Sequence, residues 1–430
     1  MSVSRFEFEY GDSSFELDVV RGKILGSIEA RDVPALYDIE KTLKELLARP
    51  TNSPPLKEIV KKGNKVVILA GDMTRLWVGT ARFLPVIIDE LLQAGLKRSQ
   101  ISVLLGTGDH RAHTDAEKRL IVGDAVFENH EVIDHRAREK GELVFLGETS
   151  RKTPIWVNRR VMEADRVILT GGIVYHFLAG FGGGPKALSI GTSGYETIQN
   201  NHRIALGSEE EGLDPRVSSG VTWGNPLYED LIEVMQAARA DFLVNTVINR
   251  KKEIAAIVAG DPIKAHQEGI AKVKEFYGIE TGLMGDMAIA SAMGYPEDIN
   301  FYQVYKTLDN VTRAVKPGGV IVLFAECREG MGNDDFARIF SDFPDNNARY
   351  AYLKDHCTIG GLMGFGIALW AERYKIVLYS AMNAEIAKTA GVIPAATPQE
   401  AMEKGFALAG DNPNVVIMPH GSVTFPIYSQ

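Results

Sequence analysis

Three short apolar runs, each followed at once by glycine and polar residues, constrain the fold of this chain more than any other feature. The runs are residues 65–70 (KVVILA), 101–105 (ISVLL) and 165–170 (DRVILT). Runs of this length and composition are typical of buried parallel strands, whose carboxyl ends share one edge of a sheet. Loops beyond that edge carry the ligand sites of such folds. The chain is therefore predicted to be an α/β protein with its functional residues in these loops.

The length of the chain predicts more than one domain. A chain of 430 residues exceeds what one hydrophobic core usually supports. We expect a larger N-terminal α/β domain over residues 1–277 and a smaller C-terminal doubly wound α/β domain over residues 285–430, with the active site in the cleft between them. The second domain rests on four predicted strands that alternate with helices. These strands are residues 287–291, 319–325, 375–379 and 414–418.

Composition argues against some classes of partner. The 47 basic and 56 acidic residues leave a net charge of −9, which argues against nucleic acid because its phosphate backbone needs a positive surface. Two cysteines, Cys327 and Cys357, are too few for a disulfide framework. No apolar run reaches membrane-spanning length, and residues 6–19 alternate like a β-hairpin rather than a signal peptide. We expect a cytoplasmic protein with neither a membrane nor a nucleic-acid partner.

Polar clusters follow the first two runs. Residues 71–75 (GDMTR) contain Asp72 and Thr74, which either cap the next helix or contribute to a site. Residues 106–114 (GTGDHRAHT) contain two histidines and an arginine. If the three strands belong to one parallel sheet, they bring a common set of side chains to one rim. That set is Asp72, Arg75, His110 and His176.

The third run leads into a glycine-rich loop that ends at a lysine. Gly182, Gly183 and Gly184 precede Pro185 and Lys186, and a backbone without Cβ atoms can approach a ligand closely. The loop does not match the phosphate-binding pattern Gly-x-x-x-x-Gly-Lys-Ser/Thr, and no Gly-x-Gly-x-x-Gly motif is present here. A helix predicted over residues 195–205 carries His202.

Single histidines in such loops are also compatible with a structural role. His130 and His135 are interpreted in that way, as loop and strand-edge residues.

Taken together, these motifs resemble the nickel-dependent lactate racemase family along essentially the whole chain. The motifs are, in order, GDMTR, GTGDHR, VYHFLAGFGGGPK, NNH and FYQVYK. The resemblance implies a nickel pincer nucleotide, a pyridinium-3,5-bisthiocarboxylic acid mononucleotide whose two arms and ring carbon bind nickel. One arm is attached to a lysine, matched here by Lys186, and a histidine matched by His202 supplies the remaining nickel ligand.

The resemblance also assigns roles to other residues. His110 and His176 match an acid and a base on opposite faces of the substrate. Asp72, Thr74 and the three glycines 182–184 are expected beside the cofactor. Arg75, Tyr302, Gln303 and Lys306 are expected at the substrate, with Arg75 and Lys306 suited to its carboxylate. The last three fall on one face of a predicted helix.

The implied activity is racemisation or epimerisation of a 2-hydroxy acid, by reversible hydride transfer through a 2-keto acid. Partners implied with it are the small substrate and the enzymes that mature the cofactor. The family has a Trp-Gln pair near the start of a late helix, where residues 359–365 (IGGLMGF) carry no tryptophan, so a substrate larger than lactate is expected. Alternatives are a nucleotide-dependent 2-hydroxy acid dehydrogenase and a non-catalytic protein that binds a hydroxy acid or nucleotide.

Overall fold

A computed structural model describes residues 4–428 and divides the chain into two compact units. One unit comprises residues 32–205 and 215–276; the other comprises residues up to Arg31, Leu206–Asp214, and residues from Tyr277 onward. Each unit contains a mainly parallel β-sheet connected through helices, which confirms the predicted mixed α/β class. Within residues 4–428, no helix is both long enough and apolar enough to cross a membrane.

The unit built on residues 32–276 has a six-stranded sheet among its described residues. The edge strand Ile254–Gly260 is antiparallel to its neighbour Phe242–Ile248, and the remaining neighbours in the sheet are parallel to each other. Across the sheet, the strands are Ile254–Gly260, Phe242–Ile248, Arg166–Gly172, Val66–Gly71, Ile101–Gly106 and Glu131–Asp134. The three apolar runs of the sequence form adjacent strands in the middle of this sheet, as predicted.

Helices and short strand pairs complete this unit. The two pairs are Leu143–Glu148 with Pro154–Asn158, and Tyr175–His176 with Gly180–Phe181. The helix Thr80–Gln93 is amphipathic and buries Leu84, Ile87 and Leu91 against the sheet core. The α-helices are Ile39–Ala48, Leu56–Ile59, Thr80–Gln93, Asp115–Val122, Asp124–Asn129, Arg159–Glu163, Lys186–Ser189, Tyr195–Arg203, Pro226–Ala238 and Lys264–Tyr277.

The other unit has a sheet whose six described strands are all parallel to their neighbours. Across the sheet, they are Ile393–Ala395, Lys375–Tyr379, Val315–Phe324, Gly285–Ser291, Asn414–Met418 and Lys23–Ser27. The four strands predicted from the sequence are among them. The α-helices are Phe301–Val311, Asp334–Ser341, Asn346–Asp355, Ile359–Arg373, Ala384–Thr389 and Pro398–Ala409, and a short parallel pair joins Gly278–Glu280 to Phe425–Ile427.

The N-terminal segment belongs to the unit that contains the C-terminal sheet. The predicted hairpin forms from Ser4–Tyr10 and Ser13–Val19, and its Phe8 and Leu17 are buried in the core around Phe324. The strand Lys23–Ser27 pairs with Asn414–Met418. The division predicted from the sequence placed this segment in an N-terminal domain over residues 1–277. The structure groups it with the C-terminal sheet instead, because the apolar side chains of the hairpin pack against those of the inner strands of that sheet and Lys23–Ser27 adds an edge strand to it.

Candidate functional site

Three loops meet at the carboxyl edge of the sheet in the unit built on residues 32–276. Gly71 and Gly106 are paired in register, so the loops after these two strands start side by side. The second loop is joined to the segment after Lys186, because the Gly108 N–H donates to the Gly191 carbonyl at 3.0 Å. The predicted rim therefore exists. The predicted residues that it carries are Asp72, Thr74, Arg75, His110, His176, Gly182, Gly183, Gly184 and Lys186.

Asp72 is buried and holds two neighbours. Its Oδ2 lies 2.5 Å from Nδ1 of His110, and its Oδ1 accepts a hydrogen bond from the Thr74 hydroxyl at 2.6 Å. Burial acts to raise the pKa of Asp72, but the bonds from His110 and Thr74 and the charges of His110 and Arg75 outweigh it and lower the pKa. Asp72 is therefore an ionised carboxylate. It makes no side-chain cap bond to the following helical turn, which argues against the helix-cap reading; a role in a site stays a prediction.

His110 is oriented by Asp72 and exposed on its other side. The His110 side chain is 59% exposed to solvent. With a carboxylate on Nδ1, that nitrogen carries the proton, and Nε2 keeps its lone pair. The arrangement is suited to general base chemistry, in which Nε2 accepts a proton from a ligand.

His113 and Arg111, in the same loop, have structural partners. Nε2 of His113 accepts from the Met73 N–H at 3.0 Å, and its Nδ1 lies 2.6 Å from the buried carboxylate of Asp134. Arg111 forms an ion pair with Glu117 at 2.6 Å. Spacing alone does not separate His110 from His113, because both follow the same strand; the family motif assigned a role to His110 only.

His176 and Lys186 are in direct contact. His176 lies on the short strand pair that precedes the glycines, and its Nδ1 accepts from the N–H groups of Leu178 and Ala179, each at 3.2 Å. Its Nε2 is 2.7 Å from Nζ of Lys186. Burial of the amine, with the nearby charge of Arg75, lowers the pKa of Lys186 to about 7. A buried lysine with a lowered pKa is a recognised kind of nucleophile.

The glycine loop before Lys186 is shaped by two residues that the sequence did not single out. Gly184 donates its N–H to Oδ1 of Asn245 at 2.8 Å, and Nε2 of His266 donates to the Gly182 carbonyl at 2.9 Å. Gly183 and Gly184 have φ values of 69° and 54°, and a Cβ on Gly184 would lie 2.5 Å from the His266 ring. Packing therefore accounts for these glycines. Contact between the loop and a ligand stays a prediction.

Asn245 and His266 left only weak signals in the sequence. Asn245 is a polar residue within the strand Phe242–Ile248, all of whose residues are buried. His266 is fully buried on a helix, and burial lowers its pKa to about 4, so it is neutral. A polar residue inside an apolar run indicates a specific hydrogen-bonding role, because burial without a partner is costly.

His202 is buried on the helix Tyr195–Arg203 and has an unused nitrogen. Among the described residues, no hydrogen-bond partner lies opposite its Nδ1. Burial, followed by the charge of Lys186, lowers the pKa of His202 to about 3, which keeps the ring neutral. The preceding Asn201 anchors the helix by donating to Asp230 at 2.9 Å.

The buried, unpartnered nitrogen of His202 fits the metal end of a nickel-containing group. A neutral imidazole nitrogen is a suitable nickel ligand, and a buried nitrogen without a partner needs an explanation. The low-pKa amine of Lys186 fits the attachment end of the same group. Within residues 4–428, no cluster of three or more His, Cys, Asp or Glu side chains is arranged to hold a metal.

The predicted substrate residues Tyr302, Gln303 and Lys306 lie in the other unit. Their helix, Phe301–Val311, is capped by Asn300, whose side chain accepts from the Gln303 N–H at 3.0 Å. Nζ of Lys306 donates to Oε1 of Gln303 at 3.0 Å. The helix and the pairing of Gln303 with Lys306 agree with the sequence pattern. Contact of these residues with a substrate stays a prediction.

The stretch without a tryptophan begins the helix Ile359–Arg373 in that same unit. A Cβ on Gly360 would collide with Asn333, and a Cβ on Gly361 would lie 2.7 Å from Leu353. Leu362 and Met363 are buried. The glycines thus allow neighbouring segments to pack closely, and the space beside them is filled by protein. This weakens the argument that the missing tryptophan leaves room for a substrate larger than lactate.

His130 and His135 have the structural contacts that the sequence interpretation required. His130 lies 3.3 Å from the Ile101 carbonyl through Nδ1. His135 is buried, donates from Nε2 to the Ser193 carbonyl at 2.8 Å, and accepts from Asn158 at 3.0 Å. Burial lowers its pKa to about 4, so it stays neutral.

Family models and curated proteins match nearly the full chain. A model described as the lactate racemase N-terminal domain matches residues 10–214, and one described as the lactate racemase C-terminal domain matches residues 281–425. The lactate racemase of Thermoanaerobacterium thermosaccharolyticum is 27% identical over 426 residues, covering 97% of this chain and 98% of the relative. The lactate racemase of Lactiplantibacillus plantarum is 29% identical over 395 residues, covering 89% of each chain.

Solved structures match as well. The lactate racemase apoprotein of Thermoanaerobacterium thermosaccharolyticum superposes with a TM-score of 0.90 at 27% identity, covering 99% of this chain and all of the other. A protein from Thermotoga maritima superposes with a TM-score of 0.64 at 16% identity, covering 93% of this chain and all of the other. At that identity, the second match supports the fold alone.

Proposed function

Because the chain belongs to the lactate racemase family, we propose that it inverts the C2 configuration of 2-hydroxy acids with a nickel pincer nucleotide attached to Lys186. The protein is an isomerase of the racemase type, and it acts on lactate-like substrates. The cofactor, its attachment and the route of the hydrogen at C2 are the parts of this statement that we propose.

One observation supports the cofactor assignment most strongly. The amine of Lys186 contacts His176 at 2.7 Å, and the same region contains the buried, unpartnered nitrogen of His202. A group that is attached covalently at one end and coordinated through a metal at the other would satisfy both residues. In this proposal Asp72, Thr74 and the glycine loop 182–184 adjoin the nucleotide.

The chemistry explains why a cofactor is needed. The hydrogen at C2 of a 2-hydroxy acid is too weakly acidic for a side chain to remove it easily as a proton. When bound, the nickel pincer nucleotide supplies an electrophile that takes this hydrogen as a hydride and returns it. The chain must then move the hydroxyl proton, hold the flat 2-keto acid and exclude water.

His110 is placed to move the hydroxyl proton. Asp72 keeps the proton of the ring on Nδ1, so Nε2 accepts the proton from the substrate hydroxyl. The resulting imidazolium is stabilised by the buried carboxylate, as in other carboxylate-histidine pairs. His110 then returns the proton when the reaction runs in the opposite direction.

His176 has to reorganise before it can serve the opposite face of the substrate. With Nδ1 accepting two backbone N–H groups, the neutral ring carries its proton on Nε2 and has no lone pair there. Exchange of a proton at Nε2 therefore requires that these contacts be released. Conversion of the Lys186 amine into an amide-like group would end its contact with His176 and would free the ring to move.

Carboxylate binding is assigned to two cationic side chains. An arginine offers a planar pair of donors that matches a carboxylate, and a lysine offers a compact charge. Arg75 already uses Nη1 to donate to the Thr74 hydroxyl at 2.7 Å, which orients its guanidinium. In this proposal Arg75 and Lys306 bind the substrate carboxylate, while Tyr302 and Gln303 bind near its hydroxyl and side chain. A substrate longer than lactate remains part of the proposal.

Metal analysis combined with a racemisation assay tests the proposed function. The full chain is produced with and without cofactor-maturation enzymes, and nickel content and inversion of a panel of 2-hydroxy acids are measured. We expect nickel, an added mass and activity to appear together only with those enzymes. Activity without nickel would contradict the cofactor assignment, and nickel-loaded protein that inverts no 2-hydroxy acid would contradict the proposed function.

A further inference from the structure

The contact between His176 and Lys186 has a direction that the surrounding backbone determines. We infer that His176 donates its Nε2 proton to Nζ of Lys186, so that Lys186 is an unprotonated amine in the chain before any cofactor is attached. This deepens the proposed function, since it concerns the residue to which the cofactor would be tethered. It assigns His176 a second role, as a positioning residue for Lys186.

The argument starts at the other nitrogen of the imidazole. Two backbone N–H groups, from Leu178 and Ala179, both point at Nδ1 of His176 at 3.2 Å. Backbone N–H groups can only donate, so Nδ1 must present its lone pair to them. A neutral imidazole has one proton, which is therefore on Nε2.

The direction of the second contact then follows. Nε2 carries a proton and lies 2.7 Å from Nζ of Lys186. An ammonium group has three donors and no acceptor, so two donors would face each other at hydrogen-bonding distance. A neutral amine has a lone pair and accepts the bond. The 2.7 Å contact is therefore a hydrogen bond if Lys186 is neutral, and a repulsive contact between two donors if Lys186 is charged.

The surroundings of Lys186 favour the same state. Burial and the positive charge of Arg75 lower the pKa of Lys186 to about 7. Among the described residues, three titratable groups interact with its amine: Arg75 through its charge, His176 by direct contact, and His202, whose pKa the charge of Lys186 lowers. His202 is neutral because its pKa is lowered to about 3, and no carboxylate is among the groups that shift the pKa of Lys186.

A neutral amine matters because it is the nucleophilic form of lysine. An exposed lysine, with its ordinary pKa near 10.4, is almost entirely ammonium at pH 7 and must lose a proton before it can attack an acyl carbon. Lys186 would be roughly half amine at that pH. The chain would therefore hold a lysine prepared for acylation at a defined position, without help from another protein.

Competitive acetylation measures the protonation of Lys186 directly. The full chain, produced without maturation enzymes, is exposed to trace acetic anhydride at pH 6 to 10.5, and the acetylated Lys186 peptide is quantified by mass spectrometry. The exposed Lys62 serves as the internal reference. We expect half-maximal labelling of Lys186 near pH 7. A midpoint of 9.5 or higher would overturn the inference.

Two substitutions test the part played by His176. His176→Ala removes the donor and should raise the labelling midpoint of Lys186 by at least one pH unit. His176→Gln can donate through its amide and should keep the midpoint closer to that of the natural chain. His130→Ala, at the amino edge of the sheet, is the matched control and should leave the midpoint unchanged. An unchanged midpoint in His176→Ala would contradict the role of His176.

The histidine tautomer is read on the natural chain itself, and a substitution serves only to assign the signals. Solid-state ¹⁵N NMR of the histidine-labelled chain at pH 8 distinguishes protonated from unprotonated ring nitrogens, and His176→Gln identifies the signals. We expect Nδ1 of His176 unprotonated and Nε2 protonated. A proton on Nδ1 would reverse the hydrogen bond and overturn the inference. None of these measurements requires racemase activity, so their outcome is separate from that of the proposed function.

Discussion

The buried carboxylate of Asp72 lies 2.5 Å from Nδ1 of His110 and so fixes which nitrogen of that imidazole faces outward. Asp72 is in turn held by the Thr74 hydroxyl, to which Arg75 donates. A chain of three hydrogen bonds therefore runs from the guanidinium proposed to bind the substrate to the base proposed to deprotonate it. Substitutions of the residues that form these hydrogen bonds should lower turnover by different amounts, most where the base itself is removed.

Replacement of His110 should affect turnover more than replacement of Asp72. His110→Ala removes the base, and we expect kcat to fall roughly 10²- to 10⁴-fold. Asp72→Asn keeps an acceptor for Nδ1 but loses the charge, and we expect a loss of roughly 10- to 100-fold. His130→Ala is the control, since His130 precedes the strand Glu131–Asp134 at the opposite edge of the sheet and its ring lies beside the Ile101 carbonyl. Racemisation at the normal rate by His110→Ala would exclude His110 as a base.

Lys186 should be the site of covalent attachment. Protein produced with the maturation enzymes should show an added mass in intact mass spectrometry, and Lys186→Ala should lose it because no other group replaces the amine. Lys274→Ala is a matched control, since Lys274 lies in the same unit, 5.8 Å from the ring of Phe181. An adduct that persists in Lys186→Ala would place the attachment elsewhere.

His202 should be needed for nickel, while the two proposed acid-base histidines should not. We expect His202→Ala to lose most of its nickel, because the buried Nδ1 is the nitrogen with no partner among the described residues. Among molecules that carry the added mass of the cofactor, His110→Ala and His176→Ala should retain nickel and lose activity. Nickel content is measured by atomic emission on protein loaded in the same way. Equal nickel in all three variants would contradict this division of roles.

Much of this arrangement could be predicted from the sequence, because the strands and the polar residues after them are local signals. Val66–Gly71, Ile101–Gly106 and Arg166–Gly172 are apolar runs that end in glycine, and their parallel pairing brings Asp72, His110 and His176 to one edge. The family motifs supplied roles for these residues that spacing alone did not.

The rest depends on contacts between distant residues. Asn245 and His266 fix the glycine loop, yet each is more than 60 residues away in sequence from the glycine to which it bonds. The position of Lys23–Ser27 beside Asn414–Met418 is likewise a long-range pairing without a local signal. The partners that occupy both ring nitrogens of His113, the Met73 N–H and Asp134, are also long-range contacts without a local signal.

Substrate length is tested separately, because the glycines near Leu362 are packed against protein. If residues 359–365 nevertheless leave the pocket larger than one closed by a tryptophan, each further methylene of the substrate should contribute about 0.8 kcal/mol. That corresponds to roughly a fourfold gain in kcat/KM for each methylene. A panel of 2-hydroxy acids of increasing length, assayed by chiral separation on loaded enzyme, measures this. A maximum at lactate would contradict the proposal.

The route of the C2 hydrogen tests the central claim most directly. Nickel-loaded enzyme is incubated in ordinary water with a good substrate that carries deuterium at C2, and the product of inverted configuration is analysed by chiral separation with mass detection. Hydride transfer through a 2-keto acid predicts that the inverted product retains its deuterium, because the hydrogen is not released to solvent. Replacement of the deuterium by solvent hydrogen in the inverted product would contradict the account, since it would mean that the hydrogen leaves as a proton.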